Sequence, residues 1–329
     1  MSVTPYPTLR LKVAPPPALR LRLAGAMGPA GPPGGIASQI SFTPTGSIAA
    51  NNVQDALAEL AAEKANIANT REKLTAARTY FVRTDGNDSN TGLVNNAGGA
   101  FLTIQKAIDT AATLDLATFN VTISVADGTY TGGMVLKSLV GAGSVIITGN
   151  TTTPTNCIVS VTSGFPVNGS SVRGVYTIQG FHLKAVTAGF SSVFTTQQTV
   201  LNLNSIRFEA PNRHVSASAG SQVFINSTGA GISTAGAFNI HIYADTQAIV
   251  QEVAQTITIT GTPAIGQAWA FIIQGAVLTS NGNTYSGAAT GKRWECQSLG
   301  YIFTGTGGGA TYFPGNANGG PVATGGIYD

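Results

Sequence analysis

Charge is what this chain has least of. Only 9% of its 329 residues are charged, against roughly 25% in ordinary soluble domains. The net charge of +3 is too small to point to nucleic acid as a partner. Two cysteines, Cys157 and Cys296, exclude a disulfide framework and read as unpaired or buried thiols. No run of 18 apolar residues occurs, which argues against a membrane-spanning helix, and the N-terminus has no continuous apolar segment of signal-peptide type. A Walker loop, a dinucleotide fingerprint and a serine nucleophile elbow are also missing, so no cofactor is expected. What is plentiful is apolar surface, at 43% of residues, together with 41 glycines. With abundant Thr, Ser and Asn, that mixture suits many short strands joined by tight turns.

Five segments follow along the chain. Residues 1–24 carry two similar phrases, Thr8–Val13 and Ala18–Leu23, separated by Pro15-Pro16-Pro17. Leu9, Arg10, Leu11, Lys12, Leu19, Arg20, Leu21 and Arg22 alternate apolar and basic, the pattern of short strands with one greasy face. Such strands need a partner sheet, and the acid-free basic charge suits either an anchor on a larger particle or a solvated tail. In residues 25–35, Gly25, Gly28, Gly31 and Gly34 recur every third position, as at the axis of a collagen triple helix; a flexible linker is the alternative. Residues 36–79 hold a helix with Asn52 as N-cap. Val53, Leu57, Leu60 and Ile67 mark a heptad seam that continues to Leu74, interrupted by Lys64 and Arg71. The expectation is a short trimeric coiled coil, with a single helix packed on the body as the alternative.

Residues 80–305 read as strands, preceded by a capping helix at 103–113 with Ile104, Ala107, Ile108 and Ala111 on one face. Tyr176–Ala185 aligns without gaps on Leu201–Ala210, an offset that suits one coil of a parallel β-solenoid. Val145–Gly149 and Ile273–Leu278 echo the same phrase more loosely. At ordinary coil lengths, residues 116–305 would supply about eight or nine coils. A β-sandwich is the competing fold, but the Asn-Gly and Asp-Gly pairs are not spaced as hairpin turns. Residues 306–329 combine glycine with aromatics and read as a wound, loop-rich tip.

Three passages resemble tail-fibre and tailspike proteins of tailed bacteriophages. Ser47–Ala65, with Val-Gln-Asp-Ala-Leu, looks like a helix of their shafts; Gly25–Gly34 looks like their collagen-like inserts; Tyr80–Ala112 looks like the entry and capping helix of pectin-lyase-like β-helices. The resemblance implies a mainly β, right-handed parallel β-helix body in a homotrimer, with a collagen-like and coiled-coil stalk. It further implies assembly in a bacterial cytoplasm into a virion and attachment to other virion proteins through the N-terminus. Host surface polysaccharide is the expected ligand, with neither nucleic acid nor membrane insertion.

Some members of that family cleave glycans, which needs two carboxylates about 5–10 Å apart. The body offers few, and Asp245, Glu252 and Glu209 are the candidates if the chain is an enzyme. Binding is the better supported expectation. Trp294, Trp269, Tyr285, Tyr301 and Tyr312 cluster toward the C-terminus, with Arg293 beside Trp294, the aromatic expected to be most exposed. Asp85-x-Asn87-x-Ser89 starts like a calcium loop but lacks its later ligands, so a hydrogen-bonded turn and no metal site is expected.

Overall fold

The structure is a computed structural model and describes residues 36–41, 43–46, 48–68, 71–226, 232–305 and 309–329. The strands expected at 1–24 and the collagen-like segment 25–35 lie outside the described residues. The chain divides into two compact units, Met1–Thr70 and Arg71–Asp329.

In the first unit, helix α1 spans Val53–Ala68. Asn52 is its N-cap: Asn52 Oδ1 accepts the Asp55 amide at 2.9 Å. Leu57 and Leu60 are 57% and 45% exposed, so these two seam positions have no cover among the described residues. The seam ends earlier than expected. Leu74 is 2% exposed in the core of the second unit, and Arg71 donates to the Ala112 carbonyl, so both belong to the body. The side chain of Ile67 lies outside the described residues.

The second unit is a right-handed parallel β-helix of about eight turns. Its strands form three walls. The first stacks Arg78–Val82, Val121–Val125, Val145–Thr148, the first halves of Val175–Ala185 and Val200–Glu209, then Gln222–Asn226, Ile249–Glu252, Val277–Thr279, Tyr301–Phe303 and Ile327–Tyr328. The second stacks Gly128–Tyr130, Cys157–Val161, the second halves of the same two long strands, Ile232–Ala235, Thr256–Thr260 and Thr284–Ser286. The two long strands turn from one wall to the next at Gly180 and Ser205, whose φ angles are 74° and 49°. The third wall stacks Met134–Val135, Val167–Ser170, Ser191–Thr196, Arg213–Ala217, Phe238–Ala244, Ile265–Ile272, Trp294–Gln297 and Val322–Ala323. Every pairing between these strands is parallel, which rules out the sandwich.

Alternation puts Val121, Ile123 and Val125 inside while Thr122 and Ser124 face out, and the same rule fills the interior coil by coil. The gapless echo is structural: Tyr176 pairs with Leu201, Ile178 with Leu203 and Leu183 with Phe208. The looser echo at Val145 also holds, opposite Tyr176. The one at Ile273–Leu278 does not. Leu278 stacks on Val250 in the first wall, whereas its supposed counterpart Leu183 lies in the second, so that similarity is accidental.

The N-terminal end is covered, whereas the C-terminal tip forms the last coil and leaves Val322 and Ile327 exposed. Helix α2, Ile104–Ala112, buries Ile104, Ala107, Ile108 and Ala111, and Thr103 Oγ1 caps it by accepting the Lys106 amide at 3.2 Å. It matches the expected cap at 103–113 and packs on the first coils. At the other end the tip is wound onto the last coil, where Phe313 is 1% exposed and Tyr328 stacks on Trp294 at 4.0 Å. No described helix is long and apolar enough to cross a membrane.

Candidate functional site

The outer side of the third wall carries one vertical column: Asn168, Phe194, Ser216, Tyr243, Phe271 and Glu295 stand in register on successive coils. Val193, Val215, Ile242 and Ala270 beside them are buried in the core; within the column Asn168, Phe194 and Phe271 are partly exposed, whereas Ser216, Tyr243 and Glu295 are only 2%, 9% and 6% exposed. Phe194 and Phe271 are half-buried and stand three coils apart, about 14 Å at the usual strand spacing. Phe165 stacks on Phe194 at 4.6 Å, and Phe190 meets Phe165 edge-on at 5.3 Å, which widens the lower apolar platform. Between the platforms, the Arg213 guanidinium lies 3.6 Å above the Tyr243 ring, and Tyr243 Oη donates to Asp245 Oδ2 at 2.8 Å. Burial, and then the bond to Asp245, push the Tyr243 phenol up to about 12, so it stays a donor at neutral pH. The upper platform is bordered by Gln267, Lys292 and Glu295, with Gln267 donating to Glu295 at 3.1 Å. The surface thus offers two partly exposed apolar patches, at Phe194 and Phe271, separated by Arg213 and Asp245 over a buried Tyr243.

The aromatics expected from sequence are distributed differently. Trp269 is fully buried, between Phe238 at 5.8 Å and His241 at 4.4 Å. Trp294 is 7% exposed, not the open platform expected: Tyr328 stacks on one side, and the Gly319 backbone lies so close that a Cβ there would meet the indole. Both are therefore core residues: Trp294 stacks on the inward Ala270, and Trp269 lies one position along the strand, against His241. Tyr285 turns inward against Trp269 at 5.7 Å, and burial raises its phenol well above the ordinary value. Its edge, together with Tyr312 and Arg293, lines an open groove of ≈ 250 Å³ near the C-terminus. Tyr301 is half-exposed beside Phe303 on the first wall.

The three carboxylates also separate. Asp245 faces out beside Tyr243, while Glu252 is fully buried inside the helix. These two cannot flank one external bond. Glu209 stands on the second wall, 2.9 Å from His182 Nε2 and 2.6 Å from Lys184 Nζ. The repeat alignment already placed Lys184 opposite Glu209, so this contact was readable. The aromatic column was not, because its members lie on separate strands whose mutual register the sequence does not show. Asp85 pairs with Arg83, and Asn87 Oδ1 accepts the Ser89 amide at 2.9 Å, a turn as expected. Among the described residues, no group of three or more His, Cys, Asp or Glu could hold a metal ion. Cys157 and Cys296 are both buried and free.

Glu252 belongs to a buried polar chain. His214 Nδ1 lies 2.8 Å from His241 Nδ1, and His241 Nε2 lies 3.4 Å from Glu252 Oε1. The tautomers that satisfy every donor have His214 donating to His241 and His241 donating to Glu252, leaving only the His214 Nε2 lone pair unmatched. Burial, and then the neighbouring His241, hold His214 well below the ordinary value of 6.5. On the second wall, burial also lowers His182, with Glu209 opposing and Arg207 adding to the effect. The sign follows: below 6.5 the unfolded chain gains protons at these imidazoles that the folded chain refuses. Stability is full above that value and falls as the pH drops toward the depressed folded values, with His214 contributing up to about 1.4 kcal/mol per pH unit. Thermal melts between about pH 7.5 and about pH 5 should show the decline. The variant His214→Phe should flatten it, and an unchanged slope would contradict the assignment.

The chain matches no protein-family model, no curated protein and no solved structure.

Proposed function

We propose that this chain is a trimeric fibre or spike of a virion, fixed to the particle by its N-terminal residues and binding a host surface glycan through its β-helix. The observation that carries the binding part is the outward column of the third wall, where Phe194 and Phe271 form apolar platforms on either side of Arg213, Tyr243 and Asp245. Pyranose rings stack their C–H faces on aromatic rings, while fixed donors and acceptors select among hydroxyls. The coil spacing of about 4.8 Å lets an extended polysaccharide run along the column. The C-terminal groove of Tyr312 and Arg293 gives a second contact region. Three copies would turn weak sites into strong adhesion. Support for self-association comes from Leu57 and Leu60, exposed on α1 at heptad spacing.

Adhesion of the purified protein to host cells or to their isolated polysaccharide is the test. Phe194→Ala and Phe271→Ala should each weaken binding by roughly tenfold at most, and together by more. A double variant that is folded and adheres as well as the parent refutes the assignment of this wall. New sugar ends released during the incubation would favour a depolymerase instead. Particle retention without any glycan binding would favour a purely structural connector.

A further inference from the structure

The outer side of the second wall is mostly hydroxyl-bearing and uncharged. Thr129 stands on it at the lower coils, and Thr256, Thr258, Thr284 and Ser286 at the upper ones, all exposed. Its charges are concentrated on two adjacent strands. His182 and Arg207 are register neighbours, as are Lys184 and Glu209 beside them. Glu209 is fully engaged: one oxygen meets His182 at 2.9 Å and the other Lys184 at 2.6 Å. Burial alone would raise the Glu209 carboxyl, but the bonds and charges of Lys184 and His182 hold it below its ordinary value, so it is an anion. These strands thus carry two permanent cations, Lys184 and Arg207, against one carboxylate, and of the two only Lys184 is paired with it. Arg207 is the one left over. Among the described residues its guanidinium makes no hydrogen bond or ion pair, and its Nε is buried without a partner. A guanidinium that has lost part of its hydration and gained no acceptor is unfavourable until an oxyanion meets its planar fork of donors.

We infer that Arg207, with Lys184 and His182 beside it, forms a subsite for an oxyanion substituent of a glycan, a carboxylate or a sulfate. The surroundings favour a sugar over a nucleic acid. Nucleic-acid binding needs a row of cations along the backbone, whereas here one net charge sits within a field of hydroxyls suited to sugar hydroxyls. The site is on a different wall from the aromatic column and does not rest on that reading, so either can fail alone.

The test uses the full chain and three probes with one backbone: oligomers of neutral dextran, carboxymethyl dextran and dextran sulfate. At least one charged oligomer should bind saturably, and less tightly at high salt, while neutral dextran should not bind at this site. The preference between the two charged oligomers identifies the oxyanion. Arg207→Gln should weaken binding at least about tenfold, and Arg207→Lys less. A second readout works on the unaltered protein. Arg207 lowers the protonation of His182, so a bound anion should raise the His182 titration midpoint followed by NMR. Unchanged affinity for both charged oligomers in folded Arg207→Gln, or a His182 midpoint indifferent to saturating charged oligomer, would each overturn the inference.

Discussion

Gly180→Ala should destabilise the β-helix by about 2–5 kcal/mol, whereas Gly261→Ala should cost only about 1–2 kcal/mol. The two glycines have nearly the same backbone, with φ of 74° and 71°. Any L-residue pays the same left-handed penalty at either place. Their surroundings differ. A Cβ on Gly180 would stand 2.6 Å from the Asn150 carbonyl carbon and 2.6 Å from the Thr151 amide nitrogen, while a Cβ on Gly261 would meet nothing within 4 Å. Backbone cannot swing aside as a side chain can, so the coil holding Asn150 must move. Gly180 is the hinge at which a strand passes from the first wall to the second. Ser205, its register equivalent, shows that the left-handed angle alone is tolerated there. Chemical denaturation of both variants checks the difference. Equal losses would mean that conformation and not crowding fixes glycine at 180.

Trp269→Ala should be comparably severe, at about 3–5 kcal/mol. The indole is fully buried and touches three aromatic neighbours, His241 at 4.4 Å, Tyr285 at 5.7 Å and Phe238 at 5.8 Å. No coil can collapse into the void, because each is held in register by the coils above and below. Trp269→Phe should cost less than half as much. It keeps most of the apolar volume, and the indole Nε1 has no partner to lose. Urea melts of the two variants provide the comparison. A Phe variant as unstable as the Ala variant would indicate that the indole nitrogen is bonded after all.

The walls of the helix were legible where a whole strand alternates cleanly, as in Val121–Val125 and Thr256–Thr260, and where two coils repeat without a gap, as at Tyr176 and Leu201. The capping helix was legible because Thr103 and four apolar residues at helical spacing leave little choice. The aromatic surface was not. Counting tryptophans directs attention to Trp269 and Trp294, yet in a solenoid the parity of a residue within its strand decides whether it faces in or out. The third wall breaks simple parity. Trp269 and Ala270 are both buried, as are His241 and Ile242, and His214 and Val215. Alternation counted from one end of these strands therefore gives the wrong side at the other. Glu252 was misread for a related reason: it ends a strand whose inward position is polar, and an isolated carboxylate in sequence looks like surface.

The register of the long strands has a consequence for how such a molecule varies. Because Tyr176–Lys184 lies on Leu201–Glu209 position for position, each storey of the stack touches only the storeys directly above and below. The height of the column, and the number of outward rows it presents, can change in whole storeys by duplication or loss while every remaining row keeps its neighbours. Recognition at one level can then drift without disturbing the levels that hold the shaft together.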